Sequence, residues 1–191
     1  MSLIAKLVPD FPTDEKRYPW FIKFHPTSEW AAEHYCNGNW LFNWIPMIGE
    51  CPEGPDRSRD YMLSLNGFPL FSQKFRALME AKFPESMQFL PVSYGSSMFQ
   101  NHVTFIGQIL HSVSALDRQH SKVDFDDWTP RDNGTYRLQY PIHLKRDIAS
   151  NYPIFRIPEA PVHIFVRQDL RELIEQHKLT GFRFDFNVPL H

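Results

Sequence analysis

The chain has 191 residues, 42% of them hydrophobic and 22% charged, a balance that suits one self-folding globular unit and excludes wholesale disorder, collagen-like repeats and coiled coils. Twenty Lys plus Arg against 22 Asp plus Glu leave a net charge of −2, without the basic surplus of a general nucleic-acid binder. Seventeen Phe, 16 Pro and 5 Trp against 8 Gly predict a core carried by aromatic rings, with short elements punctuated by proline.

Residues 1–60 form a subregion rich in proline and tryptophan, including Trp20, Trp30, Trp40 and Trp44. Prolines at that density keep long helices and central strands out, so short strands and turns are expected, with one helix over 28–35. The opening apolar stretch ends at Pro9 and is too short for the hydrophobic core of a secretory signal, which makes the cytoplasm the expected location. Cys36 and Cys51 are too few for a disulfide framework and read as reduced thiols. The polar, turn-forming run 51–60 separates this subregion from residues 61–191, and the two together are expected to make one unit.

Beyond that run the periodicity sharpens. Phe75, Leu78, Met79 and Phe83 share one face of a helix that starts near Ser72 and stops before Pro84. Met87, Phe89 and Pro91 alternate in a strand. Residues 86–116 contain no Asp, Glu, Lys or Arg, but Gln88, Gln100, Asn101, His102 and Gln108 interrupt them too often for a membrane span. They predict sheet interior, with a long central strand over 103–113. An acidic loop over 124–133 follows, then an alternating run over 136–144 in which Pro141 marks an edge or a bulge. Strands over 154–157 and 162–166 lead into a helix over 168–178, whose apolar face is Leu170, Leu173 and Ile174. Gly181 suits a left-handed position past its end, and Phe182, Phe184 and Phe186 make a closing strand.

The predicted class is α+β, a mixed or largely antiparallel sheet with a few short helices. A shift of 95 residues superposes Phe75, Leu78, Met79, Met87 and Phe89 on Leu170, Leu173, Ile174, Phe182 and Phe184, a weak internal helix-to-strand duplication.

Signatures of catalysis are missing where their chemistry would need them. No GxGxxG or GxxxxGK[ST] run offers backbone N–H groups to a phosphate, and no HExxH or paired CxxC offers a metal-ligand set. Tyr94-Gly-Ser-Ser-Met98 lacks the second glycine of a nucleophile elbow. His102, His111 and His120 recur every nine residues, a spacing that puts neighbours on opposite sides of either a strand or a helix. No catalytic residue, metal ligand or cofactor is assigned. Asp124, Asp126 and Asp127 beside Trp128 are a different signal, three carboxylates around one aromatic, which suits docking of a basic partner.

The order of several blocks carries a resemblance. They are Phe71-Ser-Gln-Lys-Phe-Arg-Ala-Leu78, Gln88-Phe-Leu-Pro-Val92, Ile109-Leu-His-Ser-Val-Ser-Ala-Leu-Asp117, Ile154-Phe-Arg156, Ile164-Phe-Val-Arg-Gln-Asp-Leu170 and Leu179-Thr-Gly-Phe-Arg-Phe184. From Leu63 to Pro189 the chain resembles the bacterial immunity-protein family of polymorphic toxin systems, the branch once catalogued as a domain of unknown function and typified by a myxobacterial protein. Arg167 stands where a capping Ser or Thr is expected.

The resemblance implies a cytoplasmic protein that binds a cognate toxic effector in interbacterial competition and blocks it, with no catalytic residues of its own, no nucleic acid and no membrane. The expected contact residues are Asp124, Asp126, Asp127, Trp128, Trp40 and Trp44. Two other readings remain open at this level: a small hydrolase or nucleotide-modifying enzyme drawing on His102 and His111, and a structural component of a secretion or phage apparatus.

Overall fold

In a computed structural model, residues 3–10, 23–25, 38–42, 44–50, 59–64, 67–94, 104–123, 136 and 138–191 are described. The helix expected over 28–35 and the acidic loop over 124–133 lie outside them.

The fold is α+β and sheet-dominated. Its strands are β1 (Ile4–Pro9), β2 (Lys23–His25), β3 (Met47–Glu50), β4 (Tyr61–Leu63), β5 (Pro69–Ser72), β6 (Met87–Tyr94), β7 (Thr104–Ile109), β8 (Lys122–Val123), β9 (Leu138–Gln139), β10 (Ile154–Phe155), β11 (Ile164–Arg167) and β12 (Phe182–Asp185). Among the described residues three helices join them, α1 (Gln73–Lys82), α2 (Arg146–Ala149) and α3 (Gln168–Gln176). One sheet runs β2-β3-β6-β7-β5-β4, a second runs β10-β11-β1-β12, and β8 pairs with β9 apart from both. Among the described residues every pairing between these strands is antiparallel except that of β3 with β6.

The 95-residue echo is structural. In the first unit the chain runs β5-α1-β6, and β7 inserts antiparallel between the two strands; in the second it runs β11-α3-β12, and β1 inserts in the same way. Each unit carries one further antiparallel strand outside, β4 on β5 and β10 on β11. The orders β4-β5-β7-β6 and β10-β11-β1-β12 therefore correspond strand for strand. They differ in where the inserted strand comes from. β7 follows its unit directly, while β1 is supplied from the other end of the chain, so residues 4–9 are built into the middle of the C-terminal sheet.

The two units share a core. Phe71, Met87 and Ile109 from the first sheet, Ala5, Leu7, Ile164 and Val166 from the second, and Phe75, Leu78, Met79, Leu170 and Ile174 from the helices form one buried cluster. Alternate residues of the same strands point the other way. Leu70, Leu90 and Ile106 join a cluster with Leu41, Met47 and Phe68, whereas Ile4, Phe155 and Phe165 join one with Leu116, Ile142 and Leu144. Both faces of the central strands are thus covered, which explains why Phe105 to Ile109 on β7 are all buried, Gln108 included.

Helix ends follow local chemistry. The Ser72 hydroxyl caps α1 by accepting from the Phe75 N–H at 3.1 Å and donates to Asp60 at 2.6 Å. The other Asp60 oxygen accepts from the Thr180 N–H at 2.8 Å, which ties the start of α1 to the turn before β12. Arg167, at the N-cap of α3, makes no side-chain cap; its guanidinium instead grips Asp169 with two bonds of 2.8 and 2.6 Å, and Asp169 also accepts from the Leu170 N–H. The Arg167 hydrogen bond is the main reason the Asp169 carboxyl sits below the usual carboxylate range. An acid in the first turn therefore replaces the expected Ser or Thr.

Three expectations need correction. The strand expected over 103–113 ends at Ile109: the Leu110 N–H turns back to Ser86 O, and His111 and Val113 then bond Arg156 in the second half of the chain. Of the run 136–144 only β9 is a strand, and the Tyr140–Pro141 peptide is cis. The left-handed residue that closes α3 is Lys178, at φ 52°; Gly181 is also left-handed, at φ 85°, but lies three residues further on. Leu179 N–H bonds Ile174 O and Lys178 N–H bonds Glu175 O, both at 3.0 Å, a Schellman closure that buries Leu179 as its apolar contact.

Candidate functional site

The first feature is an apolar edge that the six-stranded sheet holds in place. Four of the eight large apolar side chains exposed among the described residues fall between 40 and 48: Trp40, Phe42, Ile45 and Ile48, with Phe42 87% and Ile45 82% exposed. Their backbone is fixed from beneath. Gln88 on β6 acts as a surrogate strand, its Oε1 accepting from the Leu41 N–H at 2.8 Å and its amide donating to Leu41 O at 2.9 Å. Gln108 on β7, fully buried, donates to Asn39 O at 3.1 Å. Leu41 and Met47 plug the cluster below.

The two expected tryptophans therefore differ. Trp40 is half-exposed. Trp44 lies partly buried against Leu70, Leu90 and Ile106, and its indole N–H donates to Pro91 O at 2.8 Å. Asp124, Asp126, Asp127 and Trp128 lie outside the described residues. Phe42, Ile45 and Ile48 had no periodic signal, because Pro46 and the irregular backbone before β3 remove any regular spacing. The two glutamines in an uncharged stretch were the available hint.

The second feature is a histidine cluster where the chain's last residues meet the 117–121 turn. Asp117 is buried, its Oδ1 accepting from the Gln119 and His120 N–H groups and its Oδ2 lying 2.7 Å from His120 Nδ1. The His120 ring stacks on that of His191 with centroids 4.1 Å apart and an interplanar angle of 4°. His191 Nε2 lies 2.6 Å from His143 Nδ1. His191 is held by its backbone, which donates to Leu144 O at 2.9 Å and accepts from Arg146 N–H at 2.8 Å. The Asp117 carboxyl sits below its ordinary range, chiefly through the His120 hydrogen bond. Sequence reasoning missed this cluster, because no local spacing links the 117–121 turn with His143 and His191.

His111 belongs to neither feature: its ring packs 4.8 Å from that of Tyr152, and burial lowers its pKa. His102 lies outside the described residues.

A third group bears on stability. Lys6 on β1 donates to the Tyr140 hydroxyl and lies over its ring. The Tyr140 hydroxyl is pushed up to about 12, by burial first and then by Asp185, and Lys6 is lowered by burial against the opposing pull of Asp185. Burial, then the Lys6 charge, hold His163 down to about 4 from an ordinary 6.5. The unfolded chain therefore binds this proton before the folded one does, so stability is full above about pH 6.5 and falls as pH drops toward 4. Discounted for the ring's partial exposure, the loss from His163 is about 2 kcal/mol. Urea midpoints measured from pH 7 to 4 should fall, and His163→Gln should flatten the curve. An unchanged slope in that variant would assign the acid sensitivity elsewhere, His111 first.

Among the described residues, no helix is long and apolar enough to cross a membrane. No curated protein matches the chain. Residues 46–187 match the immunity protein family Imm11, a span that begins just before β3, takes in both β-α-β units and ends just past β12, with Trp40, Phe42 and Ile45 before its start. The chain belongs to that immunity protein family.

Proposed function

We propose that this protein binds a cognate toxic effector stoichiometrically and neutralises it in the cytoplasm of the producing cell during interbacterial competition, without catalysis and without a cofactor. The observation that carries the reading is the pinned apolar edge at 40–48. Large apolar side chains left in water are costly unless a partner covers them, and a backbone already fixed by Gln88 and Gln108 loses little further entropy on docking. Trp40, Phe42, Ile45 and Ile48 would form the apolar centre of the contact, with Trp44 as its buried anchor. Asp124, Asp126, Asp127 and Trp128 would supply acidic charge that steers a basic effector.

The test is affinity purification from the native host, followed by mass spectrometry of intact complexes. One protein in fixed stoichiometry, whose expression kills cells lacking this chain, supports the reading; isolation of the chain alone when neighbouring genes are expressed defeats it. With the partner in hand, Trp40→Ala plus Phe42→Ala should raise Kd by about 30-fold, the effect of a hot spot worth about 2 kcal/mol. Asp126→Lys plus Asp127→Lys should slow association and weaken its salt dependence. Unchanged affinity in both double variants would move the contact to another face.

A further inference from the structure

We infer that Asp117, His120 and His191 bind one divalent transition-metal ion of the zinc class, with His143 as the positioning residue that holds the His191 ring.

One ligand atom from each of the three residues lies within 4.8 Å of the others. A four-coordinate ion with bonds of about 2.0–2.1 Å spaces its ligands about 3.3 Å apart, so the His120 and His191 rings would turn out of their stack to converge on it, and Asp117 Oδ2 would exchange its contact with His120 Nδ1 for the ion. Two imidazoles and one carboxylate form a borderline nitrogen and oxygen set that suits zinc, cobalt or nickel, whereas calcium and magnesium favour all-oxygen shells.

The backbone arrangement supports the same assignment. Asp117 is fixed by an Asx turn, and its backbone N–H bonds His143 O at 2.9 Å. Ser121 and His143 exchange two bonds of 3.1 and 3.2 Å, and His191 is paired to Leu144 and Arg146. The backbones that carry the donors are therefore held before any ion arrives, and His143 gives His191 the kind of outer partner that orients metal-bound imidazoles. Bound there, the ion would staple the segment after β12 to the turn before β8, across the cluster formed by Leu116, Ile142 and Leu144.

The test uses the full chain without a histidine tag, stripped with a chelator and titrated with Zn²⁺ against a chromophoric competitor, then with Co²⁺ followed by visible absorption. The expected result is one ion per chain, with a Co²⁺ spectrum showing nitrogen and oxygen ligation. His191→Ala and His120→Ala should each weaken binding by about 100-fold and His143→Ala by about 10-fold, in line with losses at metal ligands and their outer partners. His177→Ala, on the exposed end of α3, should leave it unchanged. Absence of binding to the native chain overturns the assignment, as does equal binding by the native chain and His191→Ala. Should His120→Ala fail to fold, the native stoichiometry, the Co²⁺ spectrum and the His191→Ala variant still decide.

Discussion

Phe71→Ala is expected to lower folding stability by about 3–5 kcal/mol, a large part of the 5–15 kcal/mol that holds a typical domain together. The ring is fully buried and sits at the centre of an aromatic set drawn from four other elements. Its centroid lies 4.6 Å from that of Phe75 on α1 and 5.1 Å from Tyr61 on β4, with Phe89 on β6 and Phe182 on β12 each at 6.4 Å. Each of those rings is held by its own element, so the hole left by truncation cannot collapse. Gly107 on β7 is part of the same packing, because a Cβ there would land on the Phe71 ring and close to Met87 Cε. Gly107→Ala should therefore destabilise the native chain by about 1–3 kcal/mol and cost less in the Phe71→Ala background, where the ring it would strike is gone. Urea unfolding of the four combinations measures the coupling. Strict additivity, or a Phe71→Ala cost below that of exposed Phe42→Ala, would contradict this packing.

Gly181→Ala is expected to cost about 2–4 kcal/mol, from two separate causes. Gly181 has φ +85°, where an L side chain is strained, and a Cβ would land on the Tyr61 carbonyl oxygen and 2.9 Å from Arg59 Cβ. Retreat is blocked on both sides, since Gly181 O accepts from the Asp10 N–H at 2.9 Å and Thr180 O from the Tyr61 N–H at 3.1 Å. Gly67 separates the two causes. It has φ +80° but nothing near its missing Cβ, so Gly67→Ala should cost only the conformational share, about 1 kcal/mol. Thermal unfolding of both variants gives the difference directly; equal losses would show that the contact with Tyr61 is easily relieved.

Legibility in the sequence tracked how local the cause was. The α1 face of Phe75, Leu78 and Met79 and the α3 face of Leu170 and Ile174 follow from helical spacing, and both are buried as that spacing predicts. The 95-residue echo was visible because each unit needs an apolar helix face followed by an aromatic strand; the strands inserted into each unit were not, because pairing partners are chosen across the whole chain. Residues 103–113 alternate throughout, yet the strand stops at Ile109, where Leu110 finds Ser86 and the sheet's pairing ends. Gly181 was noticed for the right property and placed in the wrong context: α3 closes on Lys178, and the glycine serves the contact with β4. The site divides in the same way. Trp40 and Trp44 stood out by residue type, while their exposure depends on Gln88, Gln108 and Pro91, which approach from other strands. Asp117, His120, His143 and His191 share no local pattern.

The insertion of β1 between β11 and β12 sets an order of events in time. Ile4 pairs with Arg167 and Lys6 with Asp185, so β1 leaves the ribosome long before either of its neighbours. At about 5–20 residues per second that wait is about 10–30 s, during which β1 has neither neighbour while the β4–β7 unit can already assemble from contiguous chain. The closing step joins segments far apart in sequence and is slow for entropic reasons. Fresh synthesis therefore delivers a complete second sheet only after β12 has docked, and the supply of finished molecules lags behind the supply of chains.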